Sequence, residues 1–416
     1  MSETPSASEN PHWLNRTVVG AGVTSALGDI AHEATTAILP GFLAVLGVPA
    51  APAVLGLIEG TADATASLTK LGAGYWSDRL GQRKPIVLVG YALTAVAQGV
   101  YALATGWPLI LIGRMLAWFG RGIRGPLRDA ILAEAVTKET RGRAFGFHRA
   151  ADTLGAVAGP LLGAGLLTWL HGRQFADATT PFRVVFWLSL IPGFLSVLSF
   201  ALLVREPARV PNHALRFHAA LRSLSAAFRR YLVAVGMFGM GDFAHTLLIL
   251  AAMQQLAPAM GTVPAAQVGA MLYVWRNVVY SLASFPVGYF ADRYGHQRVL
   301  VVGYAIGAVT AAITTIAMTQ PQTGIVLWVS IFTLAGLYIA VEDALEASMT
   351  ADFVPEEVRG TGYGVLGTVN GIGDFISSTT VGVLWTFVSP AWGFGFATVL
   401  MTAGTLSLSM CREERP

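Results

Sequence analysis

Apolar positions along this chain run on in stretches of about 20 residues or more, broken by short polar interruptions. A helix of about 20 residues crosses a hydrocarbon core of about 30 Å. Continuous runs of this length, rather than ten-residue alternation, exclude a membrane β-barrel. The pattern predicts twelve spanning helices over residues 17–46, 52–77, 85–105, 109–135, 142–170, 182–204, 231–257, 265–291, 299–319, 324–352, 360–388 and 390–410. They divide into an N-terminal six-helix bundle (17–204), a polar connector (205–230) and a C-terminal six-helix bundle (231–410), with tails at 1–16 and 411–416.

Composition agrees with an all-α membrane protein: 54% of the 416 residues are hydrophobic and 12% charged, with a mean hydropathy of +0.58. The opening residues are polar and lack the apolar core of a signal peptide, so the first span is expected to direct insertion. A net charge of +3 would suggest nucleic acid in a soluble protein, but in a membrane protein the placement of Lys and Arg carries the information. Of 27 such residues, the loops on the side away from the termini hold only Arg173 and, at a span edge, Arg183, which predicts cytoplasmic termini and no nucleic-acid partner. The connector has six Arg against one Glu, and from Ala214 a helical stripe of Leu215, Leu221, Leu224 and Phe228, as expected of a surface helix on anionic lipid. Cys411 is the only cysteine, so no intrachain disulfide forms.

The chain repeats itself. GYWSDRLGQRK (74–84) returns as GYFADRYGHQR (288–298), EAVTKETRGRAFG (134–146) as DFVPEEVRGTGYG (352–364), and LGDIAH (27–32) as MGDFAH (240–245). Each half is therefore a copy of one six-span unit, an arrangement that places a substrate between the halves near the midplane.

The loop residues Gly74, Asp78, Arg79, Gly81, Arg83 and Lys84, echoed by Gly288, Asp292, Arg293, Gly295 and Arg298, resemble the signature of the major facilitator superfamily. With twelve spans, duplication and a basic connector, the resemblance covers the whole chain. It implies a monomeric secondary transporter of the bacterial inner membrane, two bundles rocking about a central site, a small-molecule substrate and no cofactor. It also makes Asp78 and its basic neighbours a cytoplasmic latch, since an Asp at a helix N-terminus is held by the dipole and released on opening. GAVAGPLLG in span 5 (Gly155, Gly159, Pro160, Gly163) is similar to a pattern of proton-coupled exporters, which implies antiport; small residues four apart allow close packing and Pro bends the helix. Arg114 followed by Gly120 and Gly122 fits the family's span-4 pattern only loosely.

An ionisable side chain at the bilayer centre costs about 2.5–3.5 kcal/mol on insertion scales, so those present are expected to face the bundle interior with partners. Asp29, His32 and Glu33 share a face of span 1; Glu59 and Asp63 lie in span 2, Arg149 and Asp152 in span 5, Asp242 and His245 in span 7, Arg276 in span 8, Glu342, Asp343 and Glu346 in span 10, and Asp374 in span 11. The resemblance turns spans 1, 4, 7 and 10 toward the cavity, so the two Asp-x-x-His pairs are expected to face each other. Protons are the expected coupling ion, because buried carboxylates and His suit proton exchange. Two alternatives stand beside this: a transition-metal site from Asp29, His32, Asp242 and His245, and local pairing for bundle assembly. Arg121, Arg124 and Arg128 share one face of span 4, and opposite charge on span 10 predicts a latch between Arg121 and Arg124 and Glu342 and Glu346. Arg114 and Arg276 are candidates for an anionic substrate, with Trp118, Tyr273, Trp275, Tyr280 and Tyr338 as candidate lining.

Rival classes find little purchase. His32-Glu33 begins a zincin motif, but residue 36 is Thr, and neither a G-x-S-x-G elbow nor a phosphate-binding Gly-Lys-Ser/Thr loop occurs, so no enzyme is expected. A channel or sensor on the same fold is the remaining alternative.

Overall fold

The computed structural model describes residues 13–80, 82–137, 140–171, 173, 175, 177–206, 225–354 and 359–411. Thirteen helices are present among them: α1 (Arg16–Val45), α2 (Ala51–Leu80), α3 (Lys84–Leu103), α4 (Trp107–Glu134), α5 (Arg141–His171), α6 (Thr180–Leu203), α7 (Ala226–Gly239), α8 (His245–Met260), α9 (Thr262–Tyr294), α10 (His296–Ala317), α11 (Ile325–Phe353), α12 (Arg359–Phe387) and α13 (Pro390–Met410). Eleven of the predicted spans are single helices; the seventh is α7 and α8 end to end, which makes twelve. Among the described residues six helices, α3, α5, α6, α10, α11 and α13, are long and apolar enough to cross a membrane on length and composition alone.

Local chemistry sets the helix ends. Asn15 accepts the Thr17 and Val18 backbone N–H groups at 2.9 and 3.0 Å to start α1, and Ser225 accepts that of Phe228 at 3.1 Å to start α7. Glu206 takes the backbone N–H of Arg83 at 2.7 Å and of Lys84 at 2.9 Å, placing a carboxylate on the positive end of α3. The Lys84 ammonium in turn donates to Ala201 O and Val204 O at the C-terminal end of α6 (2.8 and 2.6 Å). In the second copy, Gln297, at the position of Arg83, donates to Leu408 O at 2.8 Å, at the end of α13. The connector begins with this Glu206 contact and ends inside α7, where Phe228 is fully buried; α7 starts five residues earlier than the periodicity predicts, and residues 207–224 lie outside the described residues.

The halves meet along two seams. On α2 and α12, Gly56 and Gly60 lie against the backbone of Ser378 and Phe375, Gly371 lies against Ser67, and the Ala53 N–H donates to Thr386 Oγ1 at 3.0 Å. On the side away from the termini one apolar core joins Ile38, Phe42 and Phe182 of the first half to Leu250, Met253 and Ala266 of the second. On the terminus-bearing side the first half's clusters, around Tyr91 and Leu127 and around Val18 and Leu132, contain no residue of the second half. The bundle is thus sealed by apolar contact away from the termini, and toward them the halves part except along α2 and α12, where Gly364 lies against Leu71.

Candidate functional site

LGDIAH lies mid-way along α1, and its glycine has a specific use. A Cβ on Gly28 would stand 3.1 Å from a terminal nitrogen of Arg124 and 3.3 Å from the Tyr91 ring. The absent side chain lets the Arg124 guanidinium lie 4.2 Å above the centre of Tyr91, with its other nitrogen 3.7 Å from Asp29. Arg121, one turn earlier on α4, approaches Asp29 at 3.9 Å and Glu33 at 3.8 Å. Its side chain is 36% exposed, so this group opens onto the space between the halves. Arg128, the third member of the face, pairs with Asp129 at 2.9 Å and donates to Ser25 Oγ at 2.9 Å. The three arginines share one face, as their spacing predicts, and that face meets α1.

A second buried pair lies deeper. Arg114 is fully buried and holds Glu59 at 2.9 Å through both Nε and a terminal nitrogen, while its other terminal nitrogen donates to Thr36 Oγ1 at 2.8 Å. Thr36 donates to His32 O at 3.0 Å, so α1, α2 and α4 are joined at one level of the membrane. Arg114 sits 4.4 Å from the centre of the Trp118 ring, and Trp118 donates through Nε1 to Asp63. The His32 ring lies 4.4 Å from the same indole, fully buried, with neither ring nitrogen hydrogen-bonded.

The span-5 glycines serve the same helix. A methyl group on Gly155 would stand 3.0 Å from Cβ of Asp29, and one on Gly159 would stand 2.9 Å from Cβ of Glu33. Gly163 meets the backbone of Ala34. The two sequence features, LGDIAH and GAVAGPLLG, are the two sides of one close helix contact that sets the depth of both carboxylates.

The second copy departs from the first. MGDFAH is not helical: residues 240–244 are unwound, so Asp242 lies between α7 and α8 and His245 opens α8, rather than both sharing one helical face. The expectation of two equivalent Asp-x-x-His faces is corrected here. Tertiary partners accept the break: the Ala244 N–H donates to Ser378 Oγ at 3.0 Å, and Gly241 packs on Ala397 O and Met401. Non-helical backbone at this depth is tolerated where it is buried in protein or lines a cavity. Asp242 accepts the Tyr338 hydroxyl at 2.8 Å, and the His245 ring stacks on Tyr273 at 4.7 Å. Among the described residues no group of three or more His, Cys, Asp or Glu is placed to hold a metal ion.

The partners of Arg121 and Arg124 are the carboxylates of α1, and the predicted span-10 partners are engaged elsewhere. Glu346 accepts the Tyr304 hydroxyl and the Asn370 amide (2.6 Å for the amide), and Glu342 is buried beside Asp242 with Oε2 unpartnered. The ion pairs of Arg114, Arg121, Arg124 and Arg128 named above, and that of Arg83 with Glu134, each lie within one half. Near mid-membrane the halves are instead joined by two neutral donors of α9. Tyr273 donates to Glu33 Oε2 at 2.8 Å, and Asn277 donates to Ala156 O at 2.8 Å. Glu33 therefore has Arg121 of its own half on one oxygen and Tyr273 of the other half on the second. Asn277 was not singled out from the sequence; its signal is its place one turn beyond Tyr273.

Of the five candidate aromatics, Trp118, Tyr273, Tyr280 and Tyr338 donate to Asp63, Glu33, Asp343 and Asp242, whereas Trp275 faces outward and donates to Thr333. Arg276 donates to Asn277 Oδ1 at 2.9 Å and, with Asp63, Asp242, His245 and Asp374, lines a cavity of about 140 Å³. Of the loop motif, Arg83 is buried and pairs with Glu134 at 2.8 Å, and Arg293 is exposed on α9. Gly74, Asp78 and Arg79 fall on α2 and Asp292 on α9, but their side chains, and Gly81 altogether, lie outside the described residues.

A family model described as Major Facilitator Superfamily matches residues 17–272 and 232–416. An uncharacterized MFS-type transporter of Methanocaldococcus jannaschii is 27% identical over 400 residues, covering 96% of each chain. Multidrug resistance protein 1 of Bacillus subtilis is 29% identical over 186 residues, 41% of this chain and 45% of that one. Among solved structures, a nucleoside transporter superposes with a TM-score of 0.75 at 13% identity, over 94% of this chain and 99% of that one, a likeness of fold alone.

Proposed function

The chain belongs to the major facilitator superfamily, and on that premise we propose that this membrane transporter exports a small organic solute in exchange for protons, by alternating access between its two bundles. The observation that carries the reading is Glu33. One buried carboxylate lies 3.8 Å from the Arg121 guanidinium within its own half and accepts from Tyr273 of the other, so its protonation state bears on how the halves sit together. A proton on Glu33 discharges its pairing with Arg121 and weakens it as an acceptor for Tyr273; the opposed arrangement of the bundles then gains relative population. Asp29 shares Arg121 with it, is paired with Arg124 as well, and acts in the same step.

The direction of transport rests on the span-5 glycine pattern and on the partial similarity to a multidrug resistance protein. The basic connector and the near absence of Lys and Arg from the opposite loops support cytoplasmic termini in a bacterial inner membrane. With that orientation, the parted side of the bundle faces the cytoplasm, where an exporter loads. The latch assigned to Asp78, Arg79, Asp292 and Arg293 would close that side, with Arg121 and Arg124 exchanging partners toward Glu342 and Glu346 as the halves come together.

The test uses Glu33→Gln in proteoliposomes. Solute exchange that persists while solute-driven proton movement is lost is the expected result; proton movement equal to the parent chain's overturns the role of Glu33.

A further inference from the structure

Pro160 lies inside α5 and has no backbone N–H to give to the carbonyl four residues before it, which is that of Ala156. The other half of the chain takes that carbonyl. Asn277 of α9 donates to it through Nδ2 at 2.8 Å, and the same amide accepts at Oδ1 from Arg276 at 2.9 Å. A guanidinium only donates and a carbonyl only accepts, so these two neighbours fix the orientation of the amide, with its donor turned to α5. Asn277 is 3% exposed. An acceptor left bare by proline in one half thus meets a buried, oriented donor in the other.

The bond lies at the level of the carboxylates of α1. Gly155 and Gly159, on either side of Ala156, rest against Asp29 and Glu33, and Tyr273, one turn before Asn277, donates to Glu33. Two donors of α9 therefore reach two helices of the first half at one depth. The seam between α2 and α12 is built differently. Its α12 stretch NGIGDFISSTTVG (370–382) contains no proline that would strip a carbonyl of its donor, and Gly56 and Gly60 pack directly on the backbone of Ser378 and Phe375.

A buried carbonyl without a donor is costly. When α5 and α9 separate at this depth Asn277 leaves, and residue 160 has no N–H to take its place. We propose that Asn277 is a positioning residue for the transport cycle: with the carbonyl that Pro160 frees, it forms a catch that belongs to the observed arrangement alone and holds Tyr273 over Glu33. The inference rests on alternating access between the bundles and not on the identity of the coupling ion. Pro160 acts here through an acceptor offered to the other half, so its effect on the bundles requires Asn277.

The test is a double-mutant cycle in the full chain, reconstituted in nanodiscs with Cys411 replaced by Ser and one fluorophore on each half at the sealed end. Single-molecule energy transfer then counts the two arrangements. Asn277→Leu removes the donor, and Pro160→Ala returns an N–H to the Ala156 carbonyl within α5. Each is expected to raise the population opened on the sealed side about 3- to 10-fold, whereas Asn277→Leu made in the Pro160→Ala chain adds less than about twofold. Asn277→Asp keeps the size and the Arg276 contact but has no donor, and it should shift the populations in the same direction. Unchanged populations in both Asn277 variants, or an Asn277→Leu effect of equal size with and without Pro160, overturns the inference. Solute exchange indifferent to a pH gradient removes the proton reading alone and leaves these populations as predicted.

Discussion

Tyr273→Phe removes one hydroxyl and nothing else from the contact between the bundles. That hydroxyl donates at 2.8 Å to a carboxylate that is 8% exposed, and the Tyr273 ring, 2% exposed and stacked on His245, is retained in the variant. A hydrogen bond to a charged acceptor contributes about 1.5–3 kcal/mol. It exists in the arrangement parted toward the termini, and separating α9 from α1 on the sealed side breaks it. Its loss therefore shifts the equilibrium away from the observed arrangement by about 10- to 150-fold. With Cys411, the only cysteine, replaced by Ser, spin labels placed in pairs across the two ends of the bundle report both arrangements by electron–electron distance measurement. Tyr273→Phe is expected to lengthen the distances on the sealed side and shorten those near the termini. Glu33→Gln should give a shift of the same sign, and the double variant little more than either. Distance distributions unchanged from the parent would refute the reasoning that this bond biases the bundles.

Two other substitutions test the buried charges. Arg114→Met leaves Glu59 buried without its partner and should cost about 3–5 kcal/mol in thermal or denaturant unfolding, whereas Arg114→Met with Glu59→Gln should recover most of it. Gly28→Leu places atoms where Arg124 and Tyr91 now lie; it should lower stability by about 1–3 kcal/mol and abolish transport, while Gly125→Leu on α4, where a Cβ meets nothing within 4 Å, should leave both largely intact.

The spans were legible because every buried backbone group in a bilayer must be satisfied within its own helix, so length and apolarity nearly define the element. The broken seventh span was not. MGDFAH matches LGDIAH residue for residue in its charges, and the difference comes from Ser378 and Met401, far along the chain, which stabilise the unwound backbone. A faint local signal exists in Gly239, which replaces Ala26 of the first copy. The set of buried ionisable groups was also readable, but their pairing was not. Arg121 and Arg124 face Asp29 and Glu33, rather than span 10, because Gly28, Gly155 and Gly159 bring α1 close to α4 and α5. Charge on pseudo-equivalent helices says which groups exist, and the rotation of each helix says which of them meet.

Proton exchange is tested most directly by reconstituting the chain in liposomes with a pH-sensitive dye inside and adding small organic solutes in turn across an imposed pH gradient. The account predicts that a transported solute dissipates the gradient in wild type, that reversing the gradient reverses the net solute flux, and that Glu33→Gln abolishes the proton signal. Solute flux of equal rate and extent with and without the gradient would contradict it.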